Sequence, residues 1–152
     1  MSIVSTLEAN KALVRRHFED ALRDPAVCDE IYASEIKGQT RMLTPQTMKD
    51  AAQWLKSVWS ADCSMRMDEM LAEEDRVMVR WTFYGTQQGE FAGLPATNRQ
   101  VSYAGINIFR IADGKIVEIW DILDQLSLWQ QLGVLPEIKD AVAKTKEKIN
   151  PL

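Results

Sequence analysis

The sequence has few of the side chains that bind metals or act as strong nucleophiles. Its 152 residues include one histidine and two cysteines. A histidine-rich metal site, a zinc site of several thiolates and a disulfide framework each need more of these side chains. No metal site is therefore predicted. Any catalysis must depend on carboxylates, amides, phenols or backbone groups, unless His17 lies in the site.

Patterns that direct a chain to membranes or to nucleic acid are missing as well. Residues 1–5 show no basic segment followed by an apolar one, so no signal peptide is predicted. No apolar run approaches the roughly 18 residues of a membrane span. The formal net charge of −4 offers no basic surface for nucleic acid or anionic lipid. With Cys28 and Cys63 interpreted as free buried thiols, we expect a cytoplasmic protein without membrane or nucleic-acid partners.

Apolar residues at helical spacing dominate the first part of the chain. The first predicted helix covers residues 6–23, and its apolar positions are Leu7, Val14, Phe18 and Leu22. A short helix is predicted over 27–33. A third helix begins after Thr44, a residue typical of helix N-caps, with Pro45 at the first helical position. His17 is predicted to lie at the surface or at an edge of the first helix.

After residue 60 the apolar residues recur with the period of two that is typical of strands. The first predicted strand begins at Met65, and the others cover 77–85, 101–111 and 116–123. Residues 73–75 and the Asp-Gly pair at 113–114 are predicted hairpin turns. Helices followed by antiparallel strands indicate an α+β fold, in which a curved sheet wraps around the helices.

The end of the chain carries a short helix and a charged tail. Residues 124–132 are predicted to be helical, with Asp124 as a candidate N-cap and Gly133 after the last turn. The tail, 137–152, is interpreted as a solvated helix or a frayed end. The whole length fits a single domain whose core spans 6–134.

Alternation along the last two strands places a carboxylate on an apolar face. Asn107 shares its face with Tyr103, Gly105 and Phe109. Asp121 shares its face with Val117, Ile119 and Leu123, and the opposite face carries Ile116, Glu118, Trp120 and Ile122. The hairpin pairs the two strands, so Asn107 and Asp121 are predicted to share a face and to lie within reach of each other.

Two interpretations of Asp121 stay open at this point. Burial raises the pKa of a carboxyl group, which allows it to take up and return protons near neutral pH. Alternatively, Asp121 pairs with a basic residue or caps the nearby helix. Both faces of the sheet carry bulky apolar groups, so one face can line the interior while the other meets a second subunit. We expect a homodimer that forms through the outer face of the sheet.

Two segments carry a resemblance to a known family. They are GTQQGEFAGLPATNR at 85–99 and FRIADGKIVEIWDILD at 109–124, followed by QLG at 131–133. These motifs resemble the signature of the SnoaL-like polyketide cyclases. The resemblance implies the cone-shaped α+β barrel of nuclear transport factor 2-like proteins, with an interior pocket between sheet and helices. It also implies that no metal or organic cofactor is needed.

The resemblance also assigns roles to individual positions. In these cyclases an aspartate near the end of the last long strand is the general acid and base of an intramolecular aldol ring closure, and that residue aligns with Asp121. A histidine that supports the aspartate falls at Asn107, and the histidine of the GTH motif is Gln87. Asn107 can donate a hydrogen bond but cannot carry a proton.

The combined interpretation is a cofactor-independent acid/base enzyme of the polyketide cyclase type, which cyclises or rearranges a small hydrophobic carbonyl compound. Another acid/base enzyme on the same fold (isomerase, dehydratase, epoxide-opening enzyme or cofactor-independent hydroxylase) and a non-catalytic ligand-binding domain are the alternatives. Asp121 and Asn107 are the predicted catalytic residues. The predicted substrate-binding residues are Gln87, Tyr103, Gly105, Phe109, Ile119, Trp81, Phe83, Tyr32 and Asp124.

Three of these substrate-binding positions rest on specific expectations. Tyr32 and Tyr103 either donate to a substrate carbonyl or are buried rings whose hydroxyls meet the backbone. Gly105 is predicted to leave room for a ligand on the inward face.

Overall fold

The structure is a computed structural model that describes residues 2–149. Residues 1 and 150–152, the ends of the predicted domain and of its charged tail, lie outside the described residues. The elements in chain order are α1 Ile3–Glu19, α2 Val27–Ile31, β1 Tyr32–Lys37, β2 Met42–Leu43, α3 Pro45–Val58, β3 Ser64–Glu73, β4 Arg76–Thr86, β5 Gln100–Ala112, β6 Lys115–Leu123, α4 Gln125–Gln131 and α5 Ile138–Ile149.

The strands form one curved six-stranded sheet in the order β2-β1-β6-β5-β4-β3, which confirms the predicted α+β fold. Long hairpins join β3 to β4 and β5 to β6, and the remaining neighbours are antiparallel except for β1 and β6. The turn between β5 and β6 contains Asp113 and Gly114, both with positive φ, as an Asp-Gly hairpin turn requires.

The helix boundaries follow local capping chemistry. At the start of α3, the Thr44 hydroxyl accepts a hydrogen bond from the Thr47 amide at 3.3 Å. The Thr47 hydroxyl in turn accepts one from the Thr44 amide at 2.8 Å. This capping box satisfies two donors that would otherwise lack partners, and Pro45 follows it at the first helical position.

The predicted helix over 27–33 is wrong at its C-terminal end. The helix ends at Ile31, and β1 runs parallel to β6 with Tyr32 opposite Ile116. Pairing with a strand more than eighty residues further along the chain decides this segment, and no local pattern reports such a partner. The first helix is also displaced, because α1 ends at Glu19 and residues 20–23 form turns.

A β-bulge in β6 changes the predicted faces of that strand. Arg110 pairs with Glu118, but Ile111 pairs with Ile116, so the extra residue Val117 has no partner of its own. Ile116 is therefore fully buried in the core together with Ile119, although strict alternation would place the two on opposite faces.

The helices α1 and α3 cover the inner face of the sheet. Phe18 of α1 packs edge-to-face on Phe109 of β5, with ring centroids 5.9 Å apart and planes at 83°. Both side chains belong to the core, where burial of a phenylalanine contributes about 1.5–3 kcal/mol. This packing positions the middle of α1 directly above the inward-facing residues of β5.

The C-terminal part closes over the end of the sheet. Asp124 caps α4 by accepting from the Ser127 amide at 3.0 Å, and Gln131 bonds both the amide and the carbonyl of Ser102 on β5. Gly133 follows with φ +82°, as its predicted place after the helix requires. In the segment that the structure describes, no helix is long and apolar enough to cross a membrane.

Candidate active site and interior cavities

Asn107 and Asp121 are direct partners on the inner face of the sheet. They stand opposite each other in the pairing of β5 with β6, in agreement with the predicted shared face. Directly paired side chains of this kind have Cβ atoms about 4.5–5.5 Å apart. The carboxyl group of Asp121 and the amide of Asn107 are therefore close enough to act on the same ligand.

The amide of Asn107 has a fixed orientation. The Trp81 indole nitrogen donates to Asn107 Oδ1 at 2.5 Å, and Asn107 is only 8% exposed. An indole N–H can only donate, so the atom that it meets must be the amide oxygen. The Asn107 NH₂ group is left without a partner among residues 2–149, and it can donate to a carboxylate or to a substrate oxygen.

Asp121 carries an isolated, half-buried carboxyl group. Desolvation raises the pKa of this carboxyl above its usual value. Within the described part of the chain, the carboxyl makes no ion pair and no hydrogen bond. Gln39 bonds to the backbone carbonyl of Asp121 instead. A carboxyl in this state is suited to take up a proton and to release it again.

A pocket of about 430 Å³ adjoins Asp121. Its lining residues are Gln39, Asp121, Ile122, Leu123, Asp124, Gln125 and Leu126. Asp124 is the second carboxylate there, but it serves as the N-cap of α4 as described above. Across residues 2–149, there is no group of three or more His, Cys, Asp or Glu side chains that could hold a metal ion.

Gln87 does not face a ligand, which corrects its predicted role in substrate binding. It is 0% exposed, and its amide nitrogen donates to the carbonyls of Gly89, Leu94 and Pro95. Its amide oxygen accepts from the Thr97 hydroxyl at 2.6 Å. The side chain therefore holds together the loop that connects β4 and β5.

The space beside Gly105 is already filled, which corrects the prediction that it leaves room for a ligand. A Cβ atom at this position would lie 2.3 Å from the ring of Trp81. Trp81 is the cross-strand partner of Gly105, so the absent side chain accommodates the indole. Gly105 thus supports the hydrogen bond between Trp81 and Asn107.

The other predicted aromatic and aliphatic residues divide between core and cavity wall. Tyr103, Phe109 and Ile119 belong to the buried core, and burial raises the pKa of Tyr103 to about 12. Phe83 is also buried, but it lines the largest of the cavities described here, of about 820 Å³. This cavity opens between the C-terminal ends of α1 and α3 and the start of β3.

His17 lies beside the core and is partly exposed, which agrees with its predicted position at the surface or at an edge of the first helix. Its ring centroid is 5.0 Å from that of Phe109, and its Nδ1 is hydrogen-bonded to the Tyr32 hydroxyl. Desolvation lowers the pKa of His17 to about 4, so the imidazole is neutral at pH 7. The sequence contains the signal for this position, because His17 follows Val14 by one helical turn on the apolar face of α1.

His17 and Tyr32 line a second, smaller cavity of about 80 Å³. Tyr32 was a predicted substrate-binding residue, and it is 2% exposed. The small cavity shares four apolar wall residues with the large one; they are Phe18, Leu22, Leu55 and Met65. The two cavities are therefore neighbours, and Cys28 lines the small one while Cys63 lines the large one. Both cysteines are free; Cys28 is buried as predicted, but Cys63 is partly exposed.

These features define an α+β protein whose sheet presents a desolvated carboxyl and an amide to its interior. The family profile of the SnoaL-like polyketide cyclases matches residues 12–132. The chain belongs to this family.

Several curated relatives and solved structures are similar to this chain. Two aklanonic acid methyl ester cyclases match: DnrD of Streptomyces peucetius is 34% identical over 89 residues, and DauD of Streptomyces sp. strain C5 is 36% identical over 91 residues. Each match covers 59% of the length of this chain. It covers 61% of the length of DnrD and 55% of the length of DauD, so this chain spans less than two thirds of either relative.

Among solved structures, AclR of Streptomyces galilaeus aligns with a TM-score of 0.77 and 28% identity, over 94% of this chain and 97% of that chain. TsrD of Streptomyces laurentii aligns with a TM-score of 0.73 and 28% identity, over 89% of this chain and 99% of that chain. The likeness therefore extends over nearly the whole fold.

Proposed function

We propose that this protein is an acid/base enzyme that closes a ring in a hydrophobic polyketide by an intramolecular aldol reaction. The observation that carries the proposal is the isolated carboxyl of Asp121, opposite the oriented amide of Asn107. Membership of the cyclase family and the similarity to DnrD and DauD support the same reaction class.

The proposed reaction begins and ends with Asp121 ionised, because the carboxylate takes up a proton in the first step and returns it in the last. The ionised carboxylate removes a proton from a methylene group between two carbonyls, and the electron pair of the broken C–H bond passes into an enolate. The enolate carbon attacks a ketone carbon of the same molecule, which forms a C–C bond and an alkoxide. The alkoxide then takes the proton from Asp121, so that product and substrate have the same atoms.

This reaction needs neither an oxidant nor a reductant, because it is an isomerisation. The substrate's own carbonyl groups delocalise the negative charge, so we propose that the enzyme works without a cofactor. The Asn107 NH₂ group would donate to the enolate oxygen or to the Asp121 carboxylate. Positioning of the reacting groups and one base supply the rate enhancement.

A matched pair of variants on β6 tests the role of Asp121. Asp121→Asn removes the base, and Glu118→Gln makes the same change on the outer face, where Glu118 pairs with Arg110 at 3.1 Å. With aklanonic acid methyl ester as substrate, we expect Asp121→Asn to lower kcat by at least about a hundredfold. Glu118→Gln is expected to remain near the wild-type rate. A folded Asp121→Asn enzyme with the wild-type rate would refute the proposal.

A second candidate reaction is a cofactor-independent hydroxylation on the same fold. AclR, which aligns over most of this chain, is described as a candidate hydroxylase. Asn107 favours this alternative, because it stands where the resemblance implies a histidine in cyclases. Product mass discriminates the two. A ring closure leaves the mass of the substrate unchanged. A hydroxylation in which dioxygen is the oxidant and the substrate supplies the two electrons that reduce the second oxygen atom to water adds one oxygen and removes two hydrogens.

We also propose that two copies of the chain associate through the outer face of the sheet. The register of β3, β4, β5 and β6 aligns four apolar side chains in one row, namely Leu71, Met78, Ile108 and Trp120. Trp120 is 43% exposed and Ile122, beside it, is 56% exposed. The neighbouring row, Glu73, Arg76, Arg110 and Glu118, carries both signs of charge. A two-fold related copy can therefore pair opposite charges on either side of the apolar row.

Light scattering tests this dimer. Wild-type protein at micromolar concentration is expected to have twice the monomer mass, and Trp120→Glu is expected to be monomeric because it places a charge in the apolar row. Gln53→Glu introduces the same charge on exposed α3 and serves as the control. A monomeric wild type would contradict the proposal.

A further inference from the structure

The C-terminal helix α5 carries an apolar stripe that the rest of the described chain covers only in part. The stripe recurs at helical spacing and consists of Ile138, Ala141, Val142 and Thr145. It lines a groove of about 390 Å³, whose other wall includes Leu126 of α4 and Leu135 of the connecting segment. Ile138 is 60% exposed, and Val142 and both leucines are exposed as well. Exposed apolar patches of this kind mark sites that bind another protein or a lipid surface.

Lysines border this stripe on both sides. Successive residues of an α-helix are about 100° apart around its axis. Lys139 and Lys146 therefore lie along one border of the stripe, and Lys144 and Lys148 lie along the other. Asp140 lies on the far side of the helix. Among the side chains that the structure describes, none of these lysines forms an ion pair, so their charges are available to a partner.

The net charge of the whole chain hides this separation of charge. Residues 139–148 contain four Lys, one Asp and one Glu, which gives this segment a net charge of +2 in a chain of −4. The overall charge predicts no basic surface, but the end of the chain presents one. Helix α5 also lies beyond residues 12–132, which the family profile matches, so membership of the family does not imply this feature.

An apolar stripe between two rows of lysines is complementary to the surface of an anionic lipid bilayer. Amphipathic helices of this kind lie in the plane of the interface, with the apolar side chains among the acyl chains and the lysines extended to the headgroups. Helix α5 has 12 residues, and at about 1.5 Å per residue it is too short to cross a hydrocarbon core of roughly 30 Å. A second copy of α5 is a less favourable occupant, because its lysines would meet like charges.

We propose that α5 binds the surface of an anionic lipid bilayer and attaches the protein to it peripherally. Ile138 and Val142 already face solvent, so they can enter the bilayer surface without a change of fold. The site is separate from the Asp121 pocket and from the apolar row on the outer face of the sheet. The proposal is therefore independent of the proposed cyclisation and of the proposed dimer.

Co-sedimentation with vesicles tests this proposal. Wild-type protein is expected to bind vesicles of equal parts phosphatidylglycerol and phosphatidylcholine at least about tenfold more tightly than vesicles of phosphatidylcholine alone, because lysines near an anionic surface are attracted to its headgroups. Added salt is expected to weaken the binding, since it screens this attraction. Equal binding to the two kinds of vesicle, or no binding to either, would overturn the proposal.

Two double variants locate the binding on α5. Lys139→Glu with Lys146→Glu is expected to lower the affinity for the anionic vesicles to that for phosphatidylcholine vesicles. Lys11→Glu with Lys56→Glu makes the same change of charge on α1 and α3, and it is expected to bind as wild type. Equal loss in both double variants would show that overall charge, and not α5, is responsible.

A substitution in the stripe separates a lipid surface from a protein partner. Val142→Glu places a charge at an exposed position of the stripe, and it is expected to abolish vesicle binding without a change of mass in light scattering. A loss of binding together with a fall from dimer to monomer mass would assign the stripe to a second copy and overturn the proposal. The comparison of the two kinds of vesicle with wild-type protein decides even if a variant does not fold.

Discussion

The indole nitrogen of Trp81 donates a hydrogen bond to Asn107 Oδ1 and thereby leaves the Asn107 NH₂ group as the free donor of this amide. This single bond connects the core to the candidate active site. Trp81 is held in place by the space beside Gly105, so three residues on β4 and β5 determine how one amide is oriented. The functional amide is therefore positioned by packing rather than by a loop.

Substitution of Asn107 tests this orientation. Asn107→Leu keeps the approximate volume but removes the NH₂ donor, so kcat for the proposed cyclisation is expected to fall about ten- to a hundredfold. The Trp81 N–H loses its acceptor at the same time, which should lower the free energy of unfolding by about 1–3 kcal/mol. Steady-state kinetics and urea denaturation measure the two effects. Unchanged kinetics in a destabilised variant would limit Asn107 to a structural role.

The pH dependence of turnover reports on Asp121. Its pKa is raised by desolvation, and only the ionised carboxylate can remove a proton. We expect kcat/KM to fall as the pH is lowered through a pKa above the usual aspartate value of about 3.9. The raised pKa also means that ionised Asp121 destabilises the fold, so Asp121→Asn should be at least as stable as wild type at neutral pH. If kcat/KM stays constant as the pH is lowered while the protein remains folded, Asp121 is not the base.

Gln87 is expected to be a determinant of stability. Its buried amide bonds three backbone carbonyls and Thr97, so Gln87→Ala should lower the free energy of unfolding by roughly 3 kcal/mol. Gln88→Ala, at the exposed neighbouring position, is expected to stay within about 0.5 kcal/mol of wild type. Chemical denaturation measures both variants, and equal effects would contradict this assignment.

A methyl group at position 105 is expected to collide with Trp81. Gly105→Ala should lower the free energy of unfolding by about 1–3 kcal/mol, since its Cβ would lie 2.3 Å from the Trp81 ring. The loss should be smaller in a Trp81→Phe background, which has a smaller ring. A double-mutant cycle measures this coupling, and additive effects would show that the contact is not responsible.

His17 gives the fold a predictable sensitivity to acid. Its pKa is about 4 in the folded protein and about 6.5 when unfolded. The unfolded chain therefore binds more protons, and stability should fall between pH 7 and pH 4 by up to roughly 3 kcal/mol from this residue. His17→Gln is expected to reduce this pH dependence. An NMR titration in which His17 protonates near pH 6.5 would contradict the prediction.

Local chemistry accounts for most of the fold and for part of the site. The Thr44–Pro45 start of α3, the Asp-Gly turn and the shared face of Asn107 and Asp121 all follow from patterns within a few residues. The strand β1 does not, because its partner lies far along the chain. The role of Gln87 could not be predicted either, since it depends on backbone carbonyls that only the folded loop brings together.

The surroundings of His17 are a second feature that the sequence does not indicate. The sequence predicts a position at the surface or at an edge of the first helix, and the structure finds His17 partly exposed with its ring against Phe109. The hydroxyl of Tyr32 makes burial of the ring acceptable, and the sequence gives no sign of that contact. For a polar residue on the apolar face of a helix, the sequence does not indicate the hydrogen-bond partner, and the structure does.

The bulge at Val117 determines which face of the sheet each later residue of β6 occupies. Ile116 and Asp121 are five residues apart, an odd number, yet both point inward because one residue is skipped in the pairing. If β6 paired regularly through Val117 instead, Ile116 would stay in the core and the carboxylate would turn outward, while Trp120 and Ile122 would turn inward. Deletion of the Val117 codon would therefore keep the carboxylate inside on a regular strand, whereas deletion of the Trp120 codon would move Asp121 to the outer face and Ile122 to the inner face.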